Sequence, residues 1–139
     1  MIYVQNGRND TMKKLIFLLV AVMMLAACGQ DTEKDQGAVY VNITAEEAKQ
    51  IMDSEEGYII LDVREQDEYD AGHIPGAILI PYTQIGEKAE KVLPDKGQLL
   101  LVYCRSGRRS KIAAEALVEL GYTNIKEFGG IIDWPYEVE

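Results

Sequence analysis

The sequence is poor in the residues that most often build metal and crosslinked sites. It holds one histidine, one tryptophan, two phenylalanines and two cysteines among 139 residues. Two cysteines leave no room for a disulfide framework. A single histidine, with no cluster of cysteines and carboxylates at ligand spacing, gives no metal site. Long basic runs are absent, and a formal net charge of -9 argues against nucleic acid as a partner. The uncharged apolar run from Leu15 to Ala27 reaches about 20 Å as a helix, short of the roughly 30 Å hydrocarbon core of a bilayer. What remains is a chain with 47% hydrophobic residues, enough for one compact domain and an N-terminal extension.

One stretch organises the rest: Cys104-Arg105-Ser106-Gly107-Arg108-Arg109-Ser110. The apolar run Gln98 to Tyr103 precedes it, and Lys111 to Leu120 follows with apolar residues at helical spacing, so the pattern reads strand, tight loop, helix. A cysteine at that junction sits where backbone N–H groups and the positive end of a helix converge. Three arginines add positive charge, and the thiol is expected below the free value of about 8.5. Against an acidic chain, this arginine cluster reads as a local anion site. Gly107 supplies a position that can turn the loop amides inward.

Along the chain, Lys13 and Lys14 precede the Leu15–Ala27 run, as in the h-region of a signal peptide. Its end, Leu25-Ala26-Ala27-Cys28, resembles the lipobox of bacterial lipoproteins, which implies lipidation of Cys28 and anchoring at the extracytoplasmic face of a bacterial membrane. The expected division is a signal peptide over 1–27, with translation starting at Met12. A lipidated Cys28 and polar tether over 28–37 follow, then a domain over 38–139. Within the domain, Val39, Val41 and Ile43 alternate as a first strand, and Thr44 to Glu47 fits a capping box opening a helix through Met52. Strands are expected at Tyr58–Val63, Ala77–Ile80, Gln98–Tyr103 and Tyr122–Phe128. Helices are expected at Glu65–Ala71, Gly86–Leu93 and Lys111–Leu120, and Gly129-Gly130 reads as a turn into a tail. Strands alternating with helices predict an α/β domain with a central parallel sheet and helices on both faces. Ligands in such sheets sit outside the carboxyl ends of the strands, where Cys104 falls.

Taken in order, Asp62-Val63-Arg64, Gly72-His73-Ile74-Pro75-Gly76-Ala77, Cys104 to Ser110, and Gly129-Gly130 ahead of Trp134 resemble the rhodanese family of sulfurtransferases. The resemblance implies a cysteine that takes a sulfane sulfur as a persulfide and passes it on. Cys104 is then the nucleophile. The backbone amides from Arg105 to Ser110 cradle a small anionic sulfur donor such as thiosulfate, and a thiol or cyanide is the acceptor. Arg105, Arg108 and Arg109 steer anions, with Arg109 the family-like choice for closing the loop. No cofactor is expected, and the expected state is a monomer.

Asp62 and Arg64 read as a structural pair at a strand end, His73 as a turn-stabilising side chain, and Trp134 as core or lid. Other functions stay open on the residues alone. A cysteine-dependent phosphatase or arsenate reductase places an arginine sixth after its cysteine, where this chain has Ser110. A thiol-redox protein lacks a resolving cysteine near Cys104. A binding module without catalysis is the remaining alternative.

Overall fold

Short apolar runs bounded by glycine, proline and polar residues become strands when helices cover both faces of the sheet. The computed structural model describes residues 39–139. The expected signal peptide, the Cys28 lipidation site and the tether over 28–37 lie outside the described residues. The chain forms β1 (Val41–Asn42), α1 (Ala45–Ser54), β2 (Tyr58–Asp62), α2 (Gln66–Asp70), β3 (Ile78–Leu79), α3 (Ile85–Val92), β4 (Leu99–Cys104), α4 (Arg108–Glu119) and β5 (Ile125–Gly130). Single 3-10 turns, Tyr82–Gln84 and Ile131–Asp133, lie ahead of α3 and after β5. The sheet has five strands in the order β1-β5-β4-β2-β3, and all neighbours are parallel. This is the α/β architecture the alternation of elements predicts.

Alternation along the strands assigns the two faces. Leu61, Val63, Leu100, Val102 and Cys104 pack with Ile85 and Ala89 of α3 and Ala113, Ala114 and Leu117 of α4. Ile60, Leu101, Tyr103 and Phe128 face the other way, against Ala48 of α1 and Trp134. Each strand therefore contributes every second side chain to one core. The capping box of α1 forms as the sequence predicts. Glu47 N–H donates to Thr44 Oγ1 at 3.1 Å, and Thr44 N–H donates to Glu47 Oε2 at 2.7 Å, satisfying two donors of the first turn.

The last strand differs from expectation. It begins at Ile125 and runs through the Gly129-Gly130 pair. Tyr122 lies ahead of it, fully buried, and its hydroxyl donates to the Leu93 carbonyl at 2.6 Å. The register explains how the glycines stay in the ladder: Val102 pairs with Glu127, while Cys104 pairs with Gly130, one residue further along. A bulge in β5 absorbs the extra residue, and Gly129 takes the left-handed φ of +87° that such a bulge uses.

Candidate active site

Cys104 ends β4 at the carboxyl edge of the sheet and is 1% exposed. The chain then turns through Arg105, Ser106 and Gly107, and α4 starts at Arg108. Gly107, at φ +96°, makes this turn where a residue with Cβ would be strained. Its N–H donates to Cys104 Sγ at 3.0 Å. The loop lies directly on the β5 bulge. A Cβ on Gly130 would stand 2.0 Å from the Arg105 carbonyl oxygen, and Ile132 N–H donates to that oxygen at 3.2 Å.

Beneath the sulfur sits Ser110, fully buried in the first turn of α4. Its Oγ is 3.4 Å from Cys104 Sγ and 2.6 Å from Oε1 of Glu127. Glu127 is 2% exposed, and Gly129 N–H also donates to its Oε1 at 2.9 Å. Burial is the largest single influence on the Cys104 thiol and pushes it up. The Ser110 hydroxyl and the amides of Ser110, Gly107 and Ser106 together more than reverse this, so the thiol lies below its ordinary value. Hydrogen bonds, rather than the arginine charges that the sequence brings to mind, favour the thiolate.

The arginines divide. Arg105 and Arg108 are exposed at the mouth, and neither guanidinium has a protein partner among the described residues. Arg109, the expected choice for closing the loop, has a partner within the protein. Its two terminal nitrogens donate to the Glu68 carboxylate at 2.6 and 2.7 Å, a fork across from α2. That hydrogen bond is the main reason the Glu68 carboxyl is lowered to about 2.

Asp62 and Arg64 lie behind the loop, 0% and 5% exposed, with Arg64 Nη2 at 2.7 Å from Asp62 Oδ2. Arg64 also donates to the Gly72 carbonyl at 2.8 Å, while the Tyr103 hydroxyl donates to Asp62 Oδ2 at 2.7 Å and accepts from Ile74 N–H at 3.1 Å. This buried network ties the end of β2 to β4 and to the turn before β3. The His73 ring stacks on Tyr69 at 3.7 Å, and its Nδ1 is 3.0 Å from the Tyr69 carbonyl. Trp134 packs against Phe128 in the core on the α1 side.

Sequence reasoning missed Glu68, Tyr103 and Glu127. Glu127 carried a usable signal: two residues after Ile125 in a strand, it falls on the core-facing side, where a carboxylate is out of place.

A buried, hydrogen-bonded cysteine thus stands at the carboxyl edge of the parallel sheet of an α/β domain, wrapped by a loop that opens a helix. Residues 44–135 match the rhodanese-like domain model, and the chain belongs to that family. Thiosulfate sulfurtransferase PspE of Escherichia coli is 41% identical over 73 residues, which cover 52% of this chain and 70% of PspE. Adenylyltransferase and sulfurtransferase UBA4 of Meyerozyma guilliermondii is 31% identical over 59% of this chain, which spans only 21% of that protein. A solved structure, rhodanese with anions from E. coli, superposes with a TM-score of 0.56 at 36% identity, covering 59% of this chain and 96% of its own.

Proposed function

We propose that the chain is a sulfurtransferase that moves a sulfane sulfur from a donor such as thiosulfate to an acceptor such as cyanide or a thiol, through a persulfide on Cys104. The observation that carries this reading is the Gly107 N–H held 3.0 Å from Cys104 Sγ, beside the exposed Arg105 and Arg108, whose guanidinium groups have no protein partner among the described residues. Arg105 and Arg108 draw the anionic donor in. The Cys104 thiolate attacks the outer sulfur of thiosulfate, the S–S bond of the donor breaks, and sulfite leaves with the bonding pair. The loop amides then hold the negative persulfide as they held the thiolate. Cyanide or a thiolate attacks the outer sulfur, and the Cys104 thiolate returns. The thiosulfate sulfurtransferase named among the relatives supports thiosulfate as a donor to try first.

We propose further that the chain works at the extracytoplasmic face of a bacterial membrane with Cys28 lipidated, a reading supported by the lipobox-like run Leu25-Ala26-Ala27-Cys28.

The test is intact-mass spectrometry of the full chain before and after thiosulfate, then after cyanide. The expected result is a gain of one sulfur atom that cyanide removes and that Cys104→Ser abolishes while melting as the parent does. No gain with thiosulfate or polysulfide, or a gain retained in Cys104→Ser, would sink the reading in favour of a thiol-redox or non-catalytic module.

A further inference from the structure

Glu127 is a carboxylate inside the domain that no ion pair reaches among the described residues. A buried charge without a counter-ion is costly, so its place against the reactive cysteine calls for a physical reason. Its Oε1 takes hydrogen bonds from the Ser110 hydroxyl at 2.6 Å and from Gly129 N–H at 2.9 Å. The same Ser110 oxygen is 3.4 Å from Cys104 Sγ. Three groups from β4, the start of α4 and β5 thus form one chain: sulfur, hydroxyl, carboxylate.

A serine hydroxyl has a single proton. It cannot donate to the carboxylate and to a thiolate at once. With Cys104 as a thiol, S–H faces the Ser110 oxygen and Ser110 O–H faces Glu127. With Cys104 as a thiolate, Ser110 O–H turns to the sulfur, and an ionised Glu127 would lose that donor while a second buried anion appears beside it. Sharing one proton across the chain removes both costs.

We propose that Glu127 is the resident proton acceptor of Cys104, acting through Ser110. The Cys104 S–H bond breaks and leaves its electron pair on sulfur. That proton passes to Ser110 Oγ as the proton of Ser110 passes to Glu127 Oε1. The net charge of the pocket is unchanged, and the neutral carboxyl now donates to Ser110, which donates to the thiolate. Glu127 does not touch the sulfur, so it is a positioning and proton-holding residue. The proposal uses the sulfurtransferase reading only for what the thiolate does next. Other charged and titratable groups bear on the chain. On the outer side Tyr40, ahead of β1, senses both Glu115 of α4 and Glu127. Arg109, in the first turn of α4, is bound to Glu68, and Arg105 and Arg108 are exposed.

The experiment follows the rate at which iodoacetamide alkylates Cys104 against pH, by intact mass, in the full chain carrying Cys28→Ser so that one thiol remains. Two coupled acids sharing a proton give a profile that rises in two steps with a plateau between them. Glu127→Gln keeps the shape and an acceptor for Ser110 but cannot take a proton. It is expected to lose the lower step and leave one titration. Ser110→Ala, which cuts the middle of the chain, is expected to do the same and decides the question if Glu127→Gln does not fold. A lower plateau that survives in the folded variant overturns the proposal. So does a single step in the parent, or a Glu127→Gln profile merely moved to lower pH, as loss of a repelling charge alone would give. Sulfur loading from thiosulfate, measured on the same samples, reports separately on the sulfurtransferase reading.

Discussion

Cys104 owes its lowered thiol to neutral donors of the loop and the first turn of α4. The Ser110 hydroxyl and the amides of Ser110, Gly107 and Ser106 offset a burial that by itself would raise it. Cationic neighbours are screened by salt, whereas buried amides are not, so the thiolate should persist at high ionic strength while the anion capture proposed for Arg105 and Arg108 should weaken. Glu68 is a second group with a readable consequence. Its carboxyl falls from 4.5 to about 2, first through the Arg109 hydrogen bond. A carboxylate depressed on folding adds stability that is complete above its unfolded value and is lost as pH falls through its folded value. The parent should therefore lose stability between pH 4.5 and about 2 more steeply than Glu68→Gln. Urea unfolding across that window checks this, and equal slopes would mean that the fork from Arg109 contributes nothing to stability.

Among elements, β5 does most to shape the site. Its bulge brings Gly130 under the loop, so close that a Cβ would overlap the Arg105 carbonyl and fall 2.5 Å from Ser106 Cα. Gly130→Ala should push the loop away from its seat. The expected cost is about 1–3 kcal/mol, as for other overpacked sites, with sulfur loading reduced further than the lower stability explains. Parent-like loading would show that the loop tolerates displacement. The same strand marks where sequence reading stops. Runs such as Tyr58–Asp62 and Leu99–Cys104 were legible because burial on both faces demands nearly continuous apolar residues. The helix after the loop was legible from its spacing, and Cys104, Gly107 and Ser110 from being contiguous. Gly129-Gly130 read as a turn because local propensity favours one; only the pairing with β4 and the close approach of the loop make it strand. Glu68 was not legible as a site residue, because α2 reaches the loop only once the chain has folded; Glu127 showed itself only as a carboxylate on the core-facing side of a strand, with nothing local to tie it to Cys104. The partner of Arg109 was hidden for the same reason, since Glu68 lies across the fold on α2.

For the whole molecule, the proposed anchor decides where the domain works. No helix among the described residues is long and apolar enough to cross a membrane; the anchor proposed here is a lipid on Cys28. Cys28→Ala is expected to move the protein from the membrane fraction to the soluble one without altering sulfur loading on Cys104. Fractionation after expression in a bacterium checks this, and an unchanged membrane fraction would refute the anchor. The sheet order carries one more consequence, in the time course of synthesis. Of the described strands β1 is made first, and its one neighbour in the sheet, β5, is made last. A ribosome holding a chain that stops short of Ile125 therefore holds β1 with no partner. It also holds Cys104 with neither the bulge nor Glu127 in place. Contacts of such long sequence separation form late, so the thiol can meet solvent before the strand that encloses it exists.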